Sequence, residues 1–336
     1  MNEIQDFLRV ASLTAILDRY PPAQEFLANY NLSDLADSKP FPDALSDIPQ
    51  ENLDEFGLTA DDLITQLADF LHVLYSRQQN TAPIESLTII GGQNKSGTQE
   101  NITCTLHAGE IISIVGPTGS GKSRLLADIE CLAQADTPTK RTILINDRPL
   151  SLDERFQLGT HLVAQLSQNM NFVLDVSVEE FLTMHAQSRL IDSPATILDA
   201  CYRAALTLSG EPFDRHTKVT QLSGGQSRAL MIADTAYISS SPIVLIDEIE
   251  NAGIDRKQAL DLLTQHDKIV LIATHDPLLA LRADRRIIIQ DGGIAGVLHT
   301  TEEEKASLSR IAELEKTLSS VQHSLRIGER INILHD

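Results

Sequence analysis

Two hydrophobic periods divide the chain. Up to about residue 80, apolar positions recur every three or four residues in short bursts, which Pro21-Pro22, Pro40, Pro42 and Pro49 interrupt. No alternating or continuous β-branched run occurs there. The longest burst sets Leu63, Ile64, Leu67, Phe70, Leu71 and Leu74 on one helical face, with Thr59 placed to cap its start. A separate all-helical domain over 1–80 is therefore expected, joined through Gln78-Gln-Asn-Thr-Ala-Pro83. Beyond it, apolar runs of strand length at 110–115, 243–247 and 269–273 alternate with stretches of helical spacing. That alternation predicts an α/β domain over 84–298 with a mostly parallel sheet covered on both faces. From Thr301 the period turns helical again. Thr301 and Glu304 form a capping box, and Leu308, Ile311, Leu314, Leu318, Val321 and Leu325 follow at spacings of three and four. The pattern predicts a C-terminal amphipathic helix over 301–332, with two candidate surfaces to cover its stripe: the preceding domain, or a second copy.

Chemistry gathers where the strand-like runs end. The run at 110–115 leads into Gly116, Pro117, Thr118, Gly119, Ser120, Gly121, Lys122 and Ser123, which fit the pattern G-x-x-x-x-G-K-[ST]. Its glycines let successive backbone N–H groups turn toward one anion, and the helix beginning at Lys122 adds the positive end of its dipole. Lys122 supplies a point charge for the β- and γ-phosphates. The Ser123 hydroxyl is a hard oxygen ligand suited to Mg²⁺. The run at 243–247 ends in Asp247 and Glu248, one carboxylate to hold Mg²⁺ and one to polarise an attacking water, which is sufficient for phosphoryl transfer. Leu222, Ser223, Gly224, Gly225 and Gln226 open another helix and so build a second N-terminal anion seat.

These elements resemble the ATP-binding cassette (ABC) ATPase family over roughly residues 86–296. The resemblance implies a P-loop NTPase fold of ABC type, with a mostly parallel sheet core, an antiparallel β subdomain and a helical subdomain. It implies that ATP and Mg²⁺ are bound, and that the signature at Ser223, Gly224, Gly225 and Gln226 of one subunit caps the γ-phosphate held by the P-loop of another. A head-to-tail homodimer, or a pair with a second cassette, is the expected working unit. Gln168 matches the Q-loop glutamine that touches Mg²⁺, with Gln165 as the alternative. His275 matches the switch histidine that bonds the γ-phosphate and the water, and Asp255 matches the D-loop aspartate at the dimer interface. By this resemblance the catalytic residues are Glu248, His275, Lys122 and Gln168, and the metal ligands are Ser123, Asp247 and Gln168.

Three departures qualify the match. No Phe, Tyr or Trp lies between Tyr75 and Phe156, so the aromatic that stacks on adenine ahead of the P-loop is missing, and GTP is expected to compete. Ile249 follows Glu248 where transporter cassettes usually carry proline, as in soluble ATPases of the chromosome-maintenance and repair type. The helix after the signature lacks most of the basic residues that transporters have there. Two uses of the ATPase follow: nucleotide-binding subunit of a membrane transporter, or soluble energy-coupling ATPase acting on a cytosolic client. No long coiled-coil insert separates Lys122 from Ser223, which argues against the chromosome-maintenance class.

Charge narrows the partners. The chain holds 27 Lys and Arg against 47 Asp and Glu, a net charge of −20. Such a surface repels phosphate backbones and anionic headgroups, so no nucleic acid and no direct membrane insertion are expected. No apolar run approaches the roughly 20 residues that cross a bilayer, so a permease would have to come from another chain. Three widely spaced cysteines fit thiols of a reducing compartment, and a cytoplasmic location, peripheral to the inner membrane face through a partner, is expected.

Overall fold

Alternating apolar residues build strands buried on both faces. In Ile243–Asp247 and Ile269–Ala273, Ile243, Leu245, Ile269 and Leu271 enter one core, while Val244, Ile246, Val270 and Ile272 enter another. The computed structural model describes residues 3–32, 39–49, 53, 56–79, 83–167, 172–191, 194–248, 254–264 and 267–330. The chain forms two compact units, Met1–Pro83 and Ile84–Asp336.

The first unit is helical among its described residues: α1 (Glu3–Leu8), α2 (Leu13–Arg19), α3 (Ala23–Asn29), α4 (Phe41–Ser46) and α5 (Ala60–Gln79). Leu63, Ile64, Leu67 and Leu71 of α5 are buried against Leu8, Ile16, Phe41 and Leu45, whereas Phe70 and Leu74 are half-buried at the edge. Thr59 caps α5 in reciprocal fashion. The Asp62 N–H donates to its hydroxyl at 3.2 Å, and the Asp62 carboxylate accepts the Thr59 N–H at 3.0 Å.

The second unit contains two sheets. An antiparallel sheet has the order β2-β1-β4-β5, from Ser86–Ile90 (β1), Thr103–His107 (β2), Thr142–Ile145 (β4) and Arg148–Pro149 (β5). A six-stranded sheet has the order β10-β9-β3-β8-β7-β6, from Ile111–Val115 (β3), Val163–Leu166 (β6), Ile243–Asp247 (β7), Ile269–Ala273 (β8), Arg285–Gln290 (β9) and Gly293–His299 (β10). Only β10 pairs antiparallel in the larger sheet. Helix α6 (Lys122–Glu130) buries Leu125, Leu126 and Ile129 in the core shared with the antiparallel sheet. On the other face lie α10 (Gly224–Tyr237), α11 (Arg256–Leu263) and α12 (Pro277–Arg282), through Ala229, Ile232, Leu260 and Leu279. A helical subdomain of α8 (Val178–Ser188) and α9 (Ala195–Ser209) packs Leu182, Cys201 and Ala205 around Leu230 and Ala233 of α10. Helix α7 (Leu152–Leu162) precedes β6, and α13 (Glu302–Ala306) and α14 (Leu308–Arg326) end the unit.

One buried ionic cluster joins these layers. Arg141, fully buried, donates from Nε and Nη2 to the two oxygens of Glu100 (3.0 and 2.6 Å), from Nη1 to Asp128 of α6 (2.9 Å), and from Nη2 to the Gly292 carbonyl (2.8 Å). Glu100 also accepts the Gly92 and Ile294 N–H groups, and Asp128 accepts the Thr139 hydroxyl. Removing one member of such a network strands the others without water. Arg141→Met should therefore cost about 3–5 kcal/mol of folding stability, read from the shift in urea midpoint at unchanged m-value. A shift under about 0.5 kcal/mol, the ordinary scatter of surface substitutions, would refute the role assigned to the cluster.

Candidate active site

Parallel register places three strand ends side by side. Ile114 of β3 pairs with Ala273 of β8, and Asp247 of β7 pairs with the same Ala273. Gly116, Glu248 and Thr274-His275 therefore leave the sheet at one edge, at the carboxyl ends of adjacent strands where open α/β sheets bind ligands.

The loop from Gly116 to Gly121 is held from behind. The Gly292 N–H donates to the Ser120 carbonyl (2.7 Å), and Lys95 Nζ donates to the Gly119 carbonyl (2.6 Å). Close approach explains two of its glycines: a Cβ on Gly116 would lie 2.4 Å from the Ile289 carbonyl oxygen, and one on Gly121 would lie 2.9 Å from Gly292 Cα. Pro117, Thr118 and Gly119 are exposed, as is Ser123 on the first turn of α6. Lys122 is only 7% exposed, and its Nζ donates to the carbonyls of Gly116 (3.0 Å) and Pro117 (3.4 Å). A buried ammonium folded over carbonyls, and a buried Ser120 hydroxyl with no hydrogen-bond partner among the described residues, are donors placed to receive an anion.

Asp247 and Glu248 are both half-buried. Glu248 has a left-handed backbone, φ 51°, and its N–H donates to the Ala273 carbonyl at 3.0 Å. A bulky residue in that conformation is strained by about 1–3 kcal/mol, and such strain is concentrated at functional sites. His275 is exposed between two anchored neighbours: the buried Thr274 N–H donates to the Ile114 carbonyl (3.1 Å), and buried Asp276 caps α12. The Ser123 hydroxyl and the Asp247 carboxylate form an oxygen donor set that suits a hard cation. Among the described residues no group of three His, Cys, Asp or Glu could hold a metal unaided. Phosphate oxygens and water would have to complete the shell of a cation there.

The helix start at Ser223 is capped by its own side chains. Ser223 caps α10 and accepts the Gln226 N–H (3.2 Å), while Gln226 accepts the Ser223 N–H (2.9 Å). Ser223 and Gly224 are exposed, Gly225 and Gln226 are half-buried, and a Cβ on Gly224 would meet nothing within 4 Å. Asp255 is exposed and caps α11. Gln168 lies outside the described residues. The Gln165 amide faces both Glu130 oxygens, and with its nitrogen turned toward them it donates at 2.7 and 2.8 Å, at the far end of α6 from Lys122. Eight residues of helix, about 12 Å, separate that contact from the loop.

Sequence reasoning missed the residues that hold the site from behind. Lys95 and Arg141 both act across long sequence gaps. The only local signal was a charge, Asp128, on the apolar face of α6. It also missed the far end of α10, where buried Lys268 donates to the carbonyls of Thr235 and Ser239 at 2.8 Å each. There His185 of α8 meets Asp234 of α10 at 2.6 Å, so the helical subdomain is tied to the signature helix.

The family model described as "ABC transporter" matches residues 99–251. An uncharacterized ABC transporter ATP-binding protein of Methanocaldococcus jannaschii is 51% identical over 249 residues, 74% of this chain and 95% of that protein. The macrolide export ATP-binding/permease protein MacB of Psychrobacter arcticus is 30% identical over 233 residues, 66% of this chain and 34% of its own length. The pyoverdine export ATP-binding/permease protein PvdT of Pseudomonas syringae pv. tomato is 30% identical over 258 residues, 73% and 38% of the two chains. The chain thus spans only about a third of the length of MacB and PvdT. Among solved structures, cbiO1 of Clostridium perfringens, part of the ABC transporter complex cbiONQ, aligns with TM-score 0.52 at 20% identity, over 73% of this chain and all of that one. A dimeric bacterial ABC transporter cassette aligns with TM-score 0.50 at 25% identity, over 64% and 99%.

Burial pushes the Lys268 ammonium down to about 8, with Arg189 adding to the fall and Asp234 opposing it. The folded state thus holds fewer protons than the unfolded one between about pH 8 and 10.5, and stability rises with pH across that window. Relative to Lys268→Met, the protein should gain up to about 3 kcal/mol from pH 8 to 10.5, measured by urea unfolding at both. A difference that stays flat or falls would contradict the assignment.

Proposed function

We propose, from the premise that this chain belongs to the ABC family of ATP-binding proteins, that it is the ATP-hydrolysing part of a transporter and drives a membrane permease. The observation that carries the reading is the edge at which Gly116, Asp247-Glu248 and Thr274-His275 emerge from three strands in register. No helix among the described residues is long and apolar enough to cross a membrane.

The mechanism follows from which atoms each strand end presents. Backbone N–H groups at the start of α6 and Lys122 Nζ receive the β- and γ-phosphates, with the ammonium exchanging its two carbonyl partners for phosphate oxygens. Mg²⁺ would be held by Ser123 and Asp247, with Gln168 as the third ligand, and would supply neutralisation of the phosphate charge. Glu248 accepts a proton from the attacking water as its oxygen bonds to the γ-phosphorus. The bond to the β-phosphate oxygen breaks, leaving ADP and phosphate. His275 steadies the γ-phosphate and that water. Ser223, Gly224, Gly225 and Gln226, turned outward on α10, cap the γ-phosphate of a second subunit, and Asp255 lies at the same interface. The dimer is a homodimer or a pairing with a second cassette.

Candidate contacts for a membrane partner are the exposed apolar side chains of Phe156 on α7, Val173 and Leu174 ahead of α8, and Met184 on α8, which are 80%, 93%, 53% and 49% exposed. Apolar exposure of that kind marks a contact surface. Residues 1–80 carry 14 Asp and Glu against 4 Lys and Arg, and this acidic all-helical unit favours a second reading, a soluble ATPase that uses it to grip a cytosolic client.

Lys122→Ala should abolish nucleotide binding measured by equilibrium dialysis. Glu248→Gln should keep binding, slow hydrolysis by about 10²-fold or more and leave a dimer on size exclusion in ATP. Hydrolysis by Glu248→Gln at the unmodified rate would remove Glu248 from the mechanism. Pull-down with the trapped dimer then separates the two uses: a polytopic membrane protein supports the transporter, and a soluble enzyme replaces it with the second reading.

A further inference from the structure

The residue that follows His275 begins a chain of charges that reaches the C-terminal helix. Asp276, 6% exposed, uses Oδ1 to accept the N–H groups of Leu278 (2.7 Å) and Leu279 (3.4 Å), and its own N–H donates to the Thr274 hydroxyl (2.9 Å). Its other oxygen, Oδ2, is ion-paired with Nη1 of Arg256, the first residue of α11 and the immediate neighbour of Asp255. Nη2 of the same guanidinium is paired with Glu315 of α14. A second link, Arg282 to Asp261 at 2.9 Å, runs parallel to the first and fastens the far end of α12 to α11.

A groove of about 800 Å³ separates these helices, with Ile254, Leu278, Leu281, Leu308 and Ala312 along its walls. Helix α14 is therefore not fused to α12 by close apolar packing along its whole length. Its charged attachment passes through Arg256, and Leu314, Leu318 and Leu325 beyond remain 65%, 57% and 61% exposed. One guanidinium charge paired with two carboxylates ties the α12 cap and α14 to the same residue. Moving α14 pulls on Glu315, and the pull is transmitted to the carboxylate that fixes the turn carrying His275.

We propose that Arg256 is a positioning residue that couples the seat of the C-terminal helix to His275, so that displacement of α14 slows ATP hydrolysis without weakening ATP binding. This deepens the functional reading above and rests on it for the role of His275. A partner that draws α14 away from Glu315's contact would act as a brake on the ATPase.

The full-length chain tests this with Mg-ATP turnover, nucleotide binding and amide hydrogen exchange. Glu315→Gln, on a helix to which the proposed mechanism gives no role, should lower kcat about 3- to 10-fold while KM and ATP affinity stay within about twofold. Arg256→Ala should lower kcat further, and adding Glu315→Gln to it should change nothing more, since both lie on one path. Arg256→Lys, which keeps the charge but loses the planar fork, should fall between. Exchange at the amides of Thr274, His275, Asp276, Leu278 and Leu279 should quicken in Glu315→Gln with strands β7 and β8 unchanged. Unchanged turnover and exchange in Glu315→Gln overturn the coupling, as does a rise in KM at constant kcat. If Glu248→Gln hydrolyses ATP normally, or if the unmodified chain does not turn over, the functional reading fails instead. The exchange comparison then still decides whether α14 grips the His275 turn.

Discussion

The site depends on a guanidinium that never meets solvent. Arg141 binds Glu100, Asp128 and the Gly292 carbonyl, and through them fixes a β-hairpin turn, an antiparallel-sheet loop and the helix behind the phosphate loop. One cation against two buried carboxylates is costly to desolvate, so the cluster is weak evidence for stability gained over an apolar core. Its directionality explains its use. Five fixed donors can only be satisfied with the partners in one arrangement. Because Gly292 in turn donates to the Ser120 carbonyl, that arrangement is passed directly to the loop. A hydrophobic plug of the same volume would fill the space and leave the loop free to slide.

Against this fixed half, the exposed half of the machinery is built to be completed by something else. Lys122 is buried with only carbonyls for company, Ser120 has an unpartnered hydroxyl among the described residues, and Glu248 holds a strained left-handed backbone. Each of these features costs free energy in the isolated chain, and an anion at the loop would offset the first two. Ser223 and Gly224, by contrast, are relaxed, capped and exposed. Strain on one surface and a relaxed, outward anion seat on the other suit an engine whose two halves belong to different subunits.

The short contiguous motifs were legible because their chemistry is local. The loop at 116–123, the signature at 222–226 and the strand-end acids each combine backbone geometry and side chain within a few residues, and the structure brings Gly116, Asp247, Glu248 and His275 to one sheet edge as expected. The α/β class and the helices of the first unit were legible from period alone. What failed to show was long-range. Arg141 meets Glu100 41 residues away and Gly292 151 away, and no pattern within a window reveals such a pair. Of the C-terminal stripe, Leu308, Ile311 and Val321 are half-buried whereas Leu314, Leu318 and Leu325 are exposed. Periodicity predicts a face, but α12, six residues long against nineteen in α14, is too short to cover it. Gln168 lies outside the described residues, and Gln165, the alternative, is engaged by Glu130.

ATP can do work only through its different affinity for open and closed arrangements. Turning a population from 1:99 open to 99:1 closed takes about 5.5 kcal/mol, and two nucleotides sharing that load need about 3 kcal/mol each. A charge-assisted hydrogen bond contributes about 1.5–3 kcal/mol, so in the proposed dimer one or two contacts from the 223–226 turn to each terminal phosphate would suffice. Loss of that phosphate would remove the same contacts and, between two copies, let the −20 charge of each chain favour separation. The N-terminal end of α10 is therefore enough to carry the binding energy. Its other end, anchored by Lys268 and by the His185–Asp234 pair, is where a shift of the signature would be felt by the helical subdomain. A single rigid helix of fourteen residues thus joins the place where the phosphate is sensed to the place where a partner would be moved.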